Sequence, residues 1–168
     1  MANSTFIGNA KSKIIKDLIK DPTIVATIDS PDVSPSTPEK LINTHIFNFN
    51  QNPYTINKAI TFVTVQVHIN FNDSFFSNDI YIEPEVEIWI VSHEKHMIVD
   101  NIPKVTENRN DYLSKLIDRK FNGKSGLGLG KLKLISNVEG AFQADYLYRK
   151  MVFRGSDINN SLCEDEDE

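Results

Sequence analysis

Cysteine is almost missing from this sequence: Cys163 stands alone among 168 residues, so no internal disulfide can form and a reducing compartment is the natural setting. That cysteine lies in an acidic end segment where nothing would hold a thiolate beside a base, which closes the usual cysteine route to nucleophilic catalysis. Long apolar runs are missing too. No stretch reaches the roughly 18 to 20 residues of a membrane span, and the opening MANSTFIGNAKSK lacks the apolar centre of a secretory signal. The expectation is a product made in the cytoplasm. Positive charge is in deficit, with 18 Lys and Arg against 23 Asp and Glu for a formal net charge of −5. Such a balance argues against a general nucleic-acid coat, which needs surplus cations to displace counterions, but leaves room for a local basic face.

Glycine is also scarce, with seven in the chain, yet four of them crowd into NGKSGLGLGKLKL (122–134). Gly123-Lys124-Ser125 matches the end of a phosphate-binding loop, but that loop needs a glycine five residues before the Gly-Lys pair, and Asp118 stands there. The other frame, ending in Gly130-Lys131, has Ser125 in place of the glycine and Leu132 in place of the magnesium-binding hydroxyl. The element order is wrong as well, because the motif runs strand, loop, helix, and here a helical pattern precedes the glycines. The stretch reads as a helix stop at Phe121-Asn122-Gly123 followed by a flexible connection.

What is present is ordinary for a globular chain, 40% hydrophobic and 24% charged, and of a length that suits one domain over 1–159 with an acidic tail at 160–168. KSKIIKDLIK (11–20) places Ile14, Ile15, Leu18 and Ile19 at helical spacing. Four prolines in residues 22–40 predict an extended arm, either a plain linker or a segment that buries Ile24, Val25 and Ile28 against a neighbouring subunit. Strands are predicted over 41–49, 61–71 and 80–92. In the second, Val63, Val65, Val67, Ile69 and Phe71 alternate with polar residues, as in a half-buried antiparallel strand. In the third, Val86, Ile88 and Ile90 oppose Glu85, Glu87 and Trp89, and Pro84 points to an edge or bulge. An outward Trp89 between acids implies a covered face or a contact surface. A second helix over 108–121, capped by Asn108, carries Tyr112, Leu113, Leu116, Ile117 and Phe121 on one stripe. Two more strands follow, KLKLIS and DYLYRKMVFRG (145–155), the latter with Leu147, Met151 and Phe153 on one face and Arg149 as the polar exception among them. Strands grouped in a run with helices beside them indicate an α+β fold with a mainly antiparallel sheet of four to five strands and two flanking helices.

Candidate chemistry is thin. His93 and His96 in SHEKH (92–96) sit three apart at a strand end, whereas the zinc-protease pattern needs them four apart on a helix. Glu83, Glu85 and Glu87 share a strand face and read as a charged rim more simply than as an acid–base pair, which needs one carboxyl in an apolar pocket. No catalytic, cofactor or metal site emerges, so the expectation is a non-enzymatic protein. Charge is unevenly divided: residues 72–100 hold seven acids against Lys95, while residues 107–154 hold about two cations per acid. Either these charges are simply solvated, or unlike faces meet between subunits, with Glu85 and Glu87 on one side and Arg149 and Arg154 on the other.

VEIWIVSHEKHMIVD (86–100), RNDYLSKLIDRKFNG (109–123), LGKLKLISN (129–137) and YLYRKMVFRGSDIN (146–159), in this order, resemble the tail-terminator and tail-completion proteins of the neck of tailed bacteriophages. The Asn- and Ile-rich composition suits an AT-rich genome. The resemblance implies an α+β subunit of a ring, hexameric in that family, which caps the tail tube, docks onto the head-closure (connector) ring and resides in the virion, with DNA passing through without sequence-specific binding. It also implies that the loop 72–80 engages a tube or head partner through Phe75 and Phe76, residues that could equally pack on their own sheet. A head-closure or stopper protein of the same neck is the nearest alternative, and a small binding or regulatory module is the alternative from another class.

Overall fold

A computed structural model describes residues 3–34, 36–56, 58–70, 81–142, 145–155 and 157–158. Three α-helices, α1 (Asn3–Ile19), α2 (Pro22–Ile28) and α3 (Arg109–Phe121), accompany strands β1 (Ile46–Phe47), β2 (Thr61–Asn70), β3 (Tyr81–His93), β4 (Lys133–Phe142), β5 (Tyr146–Arg154) and β6 (Asp157–Ile158). The main sheet runs β1-β2-β3-β5-β4, with β6 beside the start of β3. Every pairing is antiparallel except the short β1–β2 contact. The fold is therefore α+β, with one helix more than the sequence suggests. None of the described helices is long and apolar enough to cross a membrane.

All three helices lie on one face of the sheet, α1 over β2, α3 over β3 and β5, and α2 between the other two. In α1 the residues Ala10, Ile14 and Leu18 recur four apart and are buried, with Phe6 and Ile7 extending the stripe, so the helix begins well before residue 11. In β2 and β3 the expected alternation holds: Val63, Val65, Val67, Val86, Ile88 and Ile90 all face the helices and are buried. Asn108 caps α3 as expected, accepting from the Asp111 N–H at 2.9 Å.

The proline-rich arm is the main correction. Pro22 does end α1, but it also starts α2: proline's fixed φ and missing N–H suit a first helical turn. The Asp21 carboxylate accepts from the N–H groups of Thr23 (3.0 Å) and Ile24 (3.3 Å). Ile24, Val25 and Ile28 are consequently buried in this chain's own core, not held out for a neighbour. The 41–49 strand shrinks to Ile46–Phe47, because Leu41 ends a 3-10 turn and Asn43 takes a left-handed conformation with φ 62°.

Pro84 lies inside a central strand, opposite Ile69, rather than at an edge. It is tolerated because β3 changes partner there. Arg154, the last residue of β5, faces Glu85; β6 begins opposite Ile82; and between them the Gly155 N–H donates to the Pro84 carbonyl at 2.9 Å. The donor that proline lacks falls in that gap. Gly155 is required on its own account, since a Cβ there would stand 1.9 Å from the Leu129 carbonyl oxygen. That contact exists because the glycine run is not a loose connection: Leu127 and Leu129 are buried between its glycines, and Leu132 is buried just beyond the last of them.

Candidate interaction surface

The face of the sheet opposite the helices gathers most of the residues that the sequence singles out. Glu85, Glu87 and Trp89 project there from β3, beside Tyr148, Lys150 and Arg154 of β5. The β3–β5 register sets Arg154 directly across from Glu85 and Lys150 across from Trp89. Geometry then follows from register. Arg154 donates to Glu85 through Nε at 2.9 Å and Nη2 at 2.6 Å, Lys150 lies 2.9 Å from the Glu87 carboxylate, and Trp89 Nε1 donates to Glu87 at 3.2 Å. Burial works to raise the Glu87 carboxyl, but hydrogen bonds from Lys150 and Trp89 outweigh it and hold the pKa below the usual carboxylate range. Of the charges expected to meet across a subunit boundary, Glu85 and Arg154 thus pair with each other within one subunit, and Glu87 pairs with Lys150.

Beside these pairs stands an aromatic group. Trp89 lies 5.0 Å from Tyr148 and 5.6 Å from Phe142, whose rings are themselves 4.6 Å apart, and Lys150 Nζ sits 5.0 Å above the Trp89 ring. Tyr148 folds over Gly140 on the adjacent strand, where a Cβ would come within 2.5 Å of the tyrosine oxygen. Glycine thus lets the tyrosine ring lie flat on the sheet. Further along, Phe47, Phe62, Val91 and Tyr146 form a second, smaller buried cluster roofed by Ile56 and Ile60. Trp89 is therefore partly covered by its own chain and partly open.

Arg149 points the other way, as its register with Met151 predicts. It donates to Asp111 of α3, to Glu139 at 3.1 Å and to Asn137 at 3.2 Å, and Arg149, Asp111 and Glu139 line a groove of about 420 Å³ with Met97 and Leu147. Phe75 and Phe76 lie outside the described residues. His93 and His96 diverge: His93 packs its ring on Tyr146 and accepts from the Lys95 N–H, while His96 turns inward. Among the described residues no group of three or more His, Cys, Asp or Glu side chains is arranged to hold a metal ion.

His96 belongs to a polar chain that the sequence does not reveal. Its Nε2 lies 3.4 Å from the Asp29 carboxylate and its Nδ1 lies 2.9 Å from the Thr61 hydroxyl. Thr61 meets Ser92 at 2.8 Å, Ser92 donates to Asn110 at 2.7 Å, and Asn110 donates to the Leu147 carbonyl at 3.1 Å. An acid, an imidazole and a hydroxyl in line suggest nucleophile activation, but Thr61 and Ser92 are both 0% exposed, so no substrate can reach either oxygen. The chain ties the sheet to α3 and to the αL residue Asp29 that ends α2. Arg109, only 1% exposed, completes this hub by donating to the carbonyls of Thr27, His96 and Ile98 and to Asp29. No local signal marks these residues, because their partners, side chains and backbone carbonyls alike, are distant in the chain.

Burial, and then the Arg109 charge, lower the His96 pKa, while Asp29 pulls against them; burial and the nearby His96 lower that of His45. Both imidazoles therefore take up protons more readily in the unfolded chain, and stability falls as pH drops below about 6.5, the ordinary histidine value. Urea denaturation should give a lower midpoint at pH 5.5 than at pH 7.5, with His96 titrating below that ordinary value by NMR. A midpoint that rose on acidification would contradict this arrangement.

The chain is thus an α+β protein with helices on one face of a mostly antiparallel sheet and paired charges and aromatics concentrated on the other. The YomW family model matches residues 12–154, and the chain belongs to the YomW family, whose SPbeta-type name marks a phage-related protein. No curated protein matches it.

Proposed function

We propose that this protein is a structural component of the phage neck, a tail terminator whose copies form a ring, hexameric by the resemblance, that caps the tail tube and joins it to the head-closure complex. The observation that carries the reading is the outer edge of the sheet. β4 presents ten residues with no further strand beside it among the described residues, and it exposes Ile135 (44%) and Val138 (49%). Exposed edges invite pairing with another chain, and proteins commonly blunt them with charge, proline or a bulge. Here a register shift between Leu134 and Ser136 is accompanied by exposed aliphatic side chains. An edge of this kind suits a surface that a neighbouring copy covers.

The paired charges on the open face shift the expected contact from ionic to apolar. Association should therefore survive moderate salt, which weakens exposed charge attraction within a Debye length of about 10 Å at 0.1 M. The test is oligomeric mass with negative-stain imaging. The expected result is a ring with a central hole, dispersed to folded subunits by the double substitution Ile135→Lys with Val138→Lys. A wild-type protein that stays monomeric at high concentration would end this reading. Binding to purified tail tube, rather than to portal-side rings, separates a terminator from a stopper.

A further inference from the structure

The glycine run that fails as a nucleotide loop in sequence has a backbone geometry of its own. Two hydrogen bonds, from the Gly123 N–H to the Leu132 carbonyl at 2.8 Å and from the Leu132 N–H to the Lys124 carbonyl at 2.9 Å, pin together the ends of the loop from Ser125 to Lys131. Within it Gly126, Gly128 and Gly130 have φ of 109°, 78° and 66°, while the leucines between them anchor the loop in the core. Glycines of positive φ set between other residues are the kind of backbone from which anion-binding nests, concavities of successive N–H groups, are built. From Ser125 through Lys131 no backbone N–H donates to a protein acceptor among the described residues.

Charge at this loop has one sign. Lys124 and Lys131 flank its base and are exposed, and Lys13 of α1 brings its ammonium within 3.8 Å of where a Gly128 Cβ would stand. Residues 119–138 hold five Lys and Arg and no Asp or Glu. Of the acids in the helices, Asp17 pairs with Lys20 at 3.9 Å and Asp21 with Lys120 at 3.4 Å, while Asp118 of α3 keeps one buried carboxylate oxygen without a hydrogen-bond partner. The net charge of −5 hides this patch, because Glu164–Glu168 alone contributes five acids and the remaining 18 balance the 18 Lys and Arg.

We propose that this loop is a phosphate-binding site, in which the free N–H groups supply directional bonds and Lys13, Lys124 and Lys131 supply the charge. The phosphate belongs either to a nucleic-acid backbone or to a free polyphosphate. The loop follows a helix and precedes a strand and has no magnesium-binding hydroxyl at its end, so it binds without transferring a phosphoryl group. The inference stands whether or not the subunits form a ring.

Two probes test it on the full chain at low salt: inorganic tripolyphosphate, read by the amide resonances of Gly126, Gly128 and Gly130, and a labelled short DNA duplex, read by anisotropy. If the nucleic-acid backbone is the source, the double variant Lys124→Gln with Lys131→Gln should bind duplex roughly tenfold more weakly. The slope of log affinity against log salt should fall by about 2, one for each ammonium group that no longer neutralises a phosphate. A control pair with the same charge change elsewhere, Lys58→Gln with Lys95→Gln, should weaken binding clearly less. Glycine shifts with tripolyphosphate that vanish in the double variant, without duplex binding, would assign the site to a small phosphate. Glycine amides that move with neither probe, or duplex binding unchanged in the double variant, would overturn the proposal.

Discussion

Replacing Arg109 by alanine should lower stability by about 3–5 kcal/mol, the scale on which breaking a buried charged network falls. The guanidinium is 1% exposed and its acceptors come from two separate segments, the end of α2 and the turn after β3. It donates to the carbonyl of Thr27 at the end of α2, to the carbonyls of His96 (2.6 Å) and Ile98 (2.8 Å) in the turn after β3, and to the Asp29 carboxylate at 3.2 Å. Truncation leaves three carbonyls without their donor and one carboxylate without its cation, and the desolvation already incurred by those groups is not returned. Lysine should recover only part of the loss, because one ammonium cannot reproduce the planar fork that meets acceptors on several sides. Urea denaturation of the dilute protein measures both. A loss under about 1 kcal/mol, the size expected of an exposed ion pair, would mean the hub is not built as described.

Ile24→Ala and Ile28→Ala should each cost about 2–5 kcal/mol in the dilute protein, the range for emptying a buried aliphatic site. This prediction separates two accounts of the same residues. Had they belonged to an arm reaching a neighbour, truncation would leave the isolated subunit within about 0.5 kcal/mol of wild type and weaken only association. In the structure both are 0% exposed within the main core, so the isolated subunit should lose stability at every protein concentration. A melting temperature that changed only at high concentration would return them to the interface.

These two regions also show where sequence patterns lose their meaning. Residues 61–70 and 146–154 carry alternation long enough to identify strand and face without tertiary knowledge, and 109–121 carries a helical stripe with its cap. In α2, seven residues are too few to display a period, and prolines that usually disrupt structure are neutral or favourable at a first turn. The glycine run misleads for a related reason. Its glycines do permit unusual dihedrals, but the leucines between them are buried, and only the packing of the loop under Gly155 shows that.

Side-chain pairing is the other gap. An excess of acid in 72–100 and of base in 107–154 is visible as composition, and it allows contact between subunits as readily as contact within one. The choice is made by strand order: β5 lies beside β3, not beside β2, and the register brings Arg154 to Glu85 and Lys150 within reach of Glu87. Periodicity is a property of neighbours in the chain and can be read from the chain. Partnership between charges, the burial of Arg109 and the outward edge of β4 depend on residues far apart in sequence, and they take definite form only when the sheet has assembled and the helices have closed over one side of it.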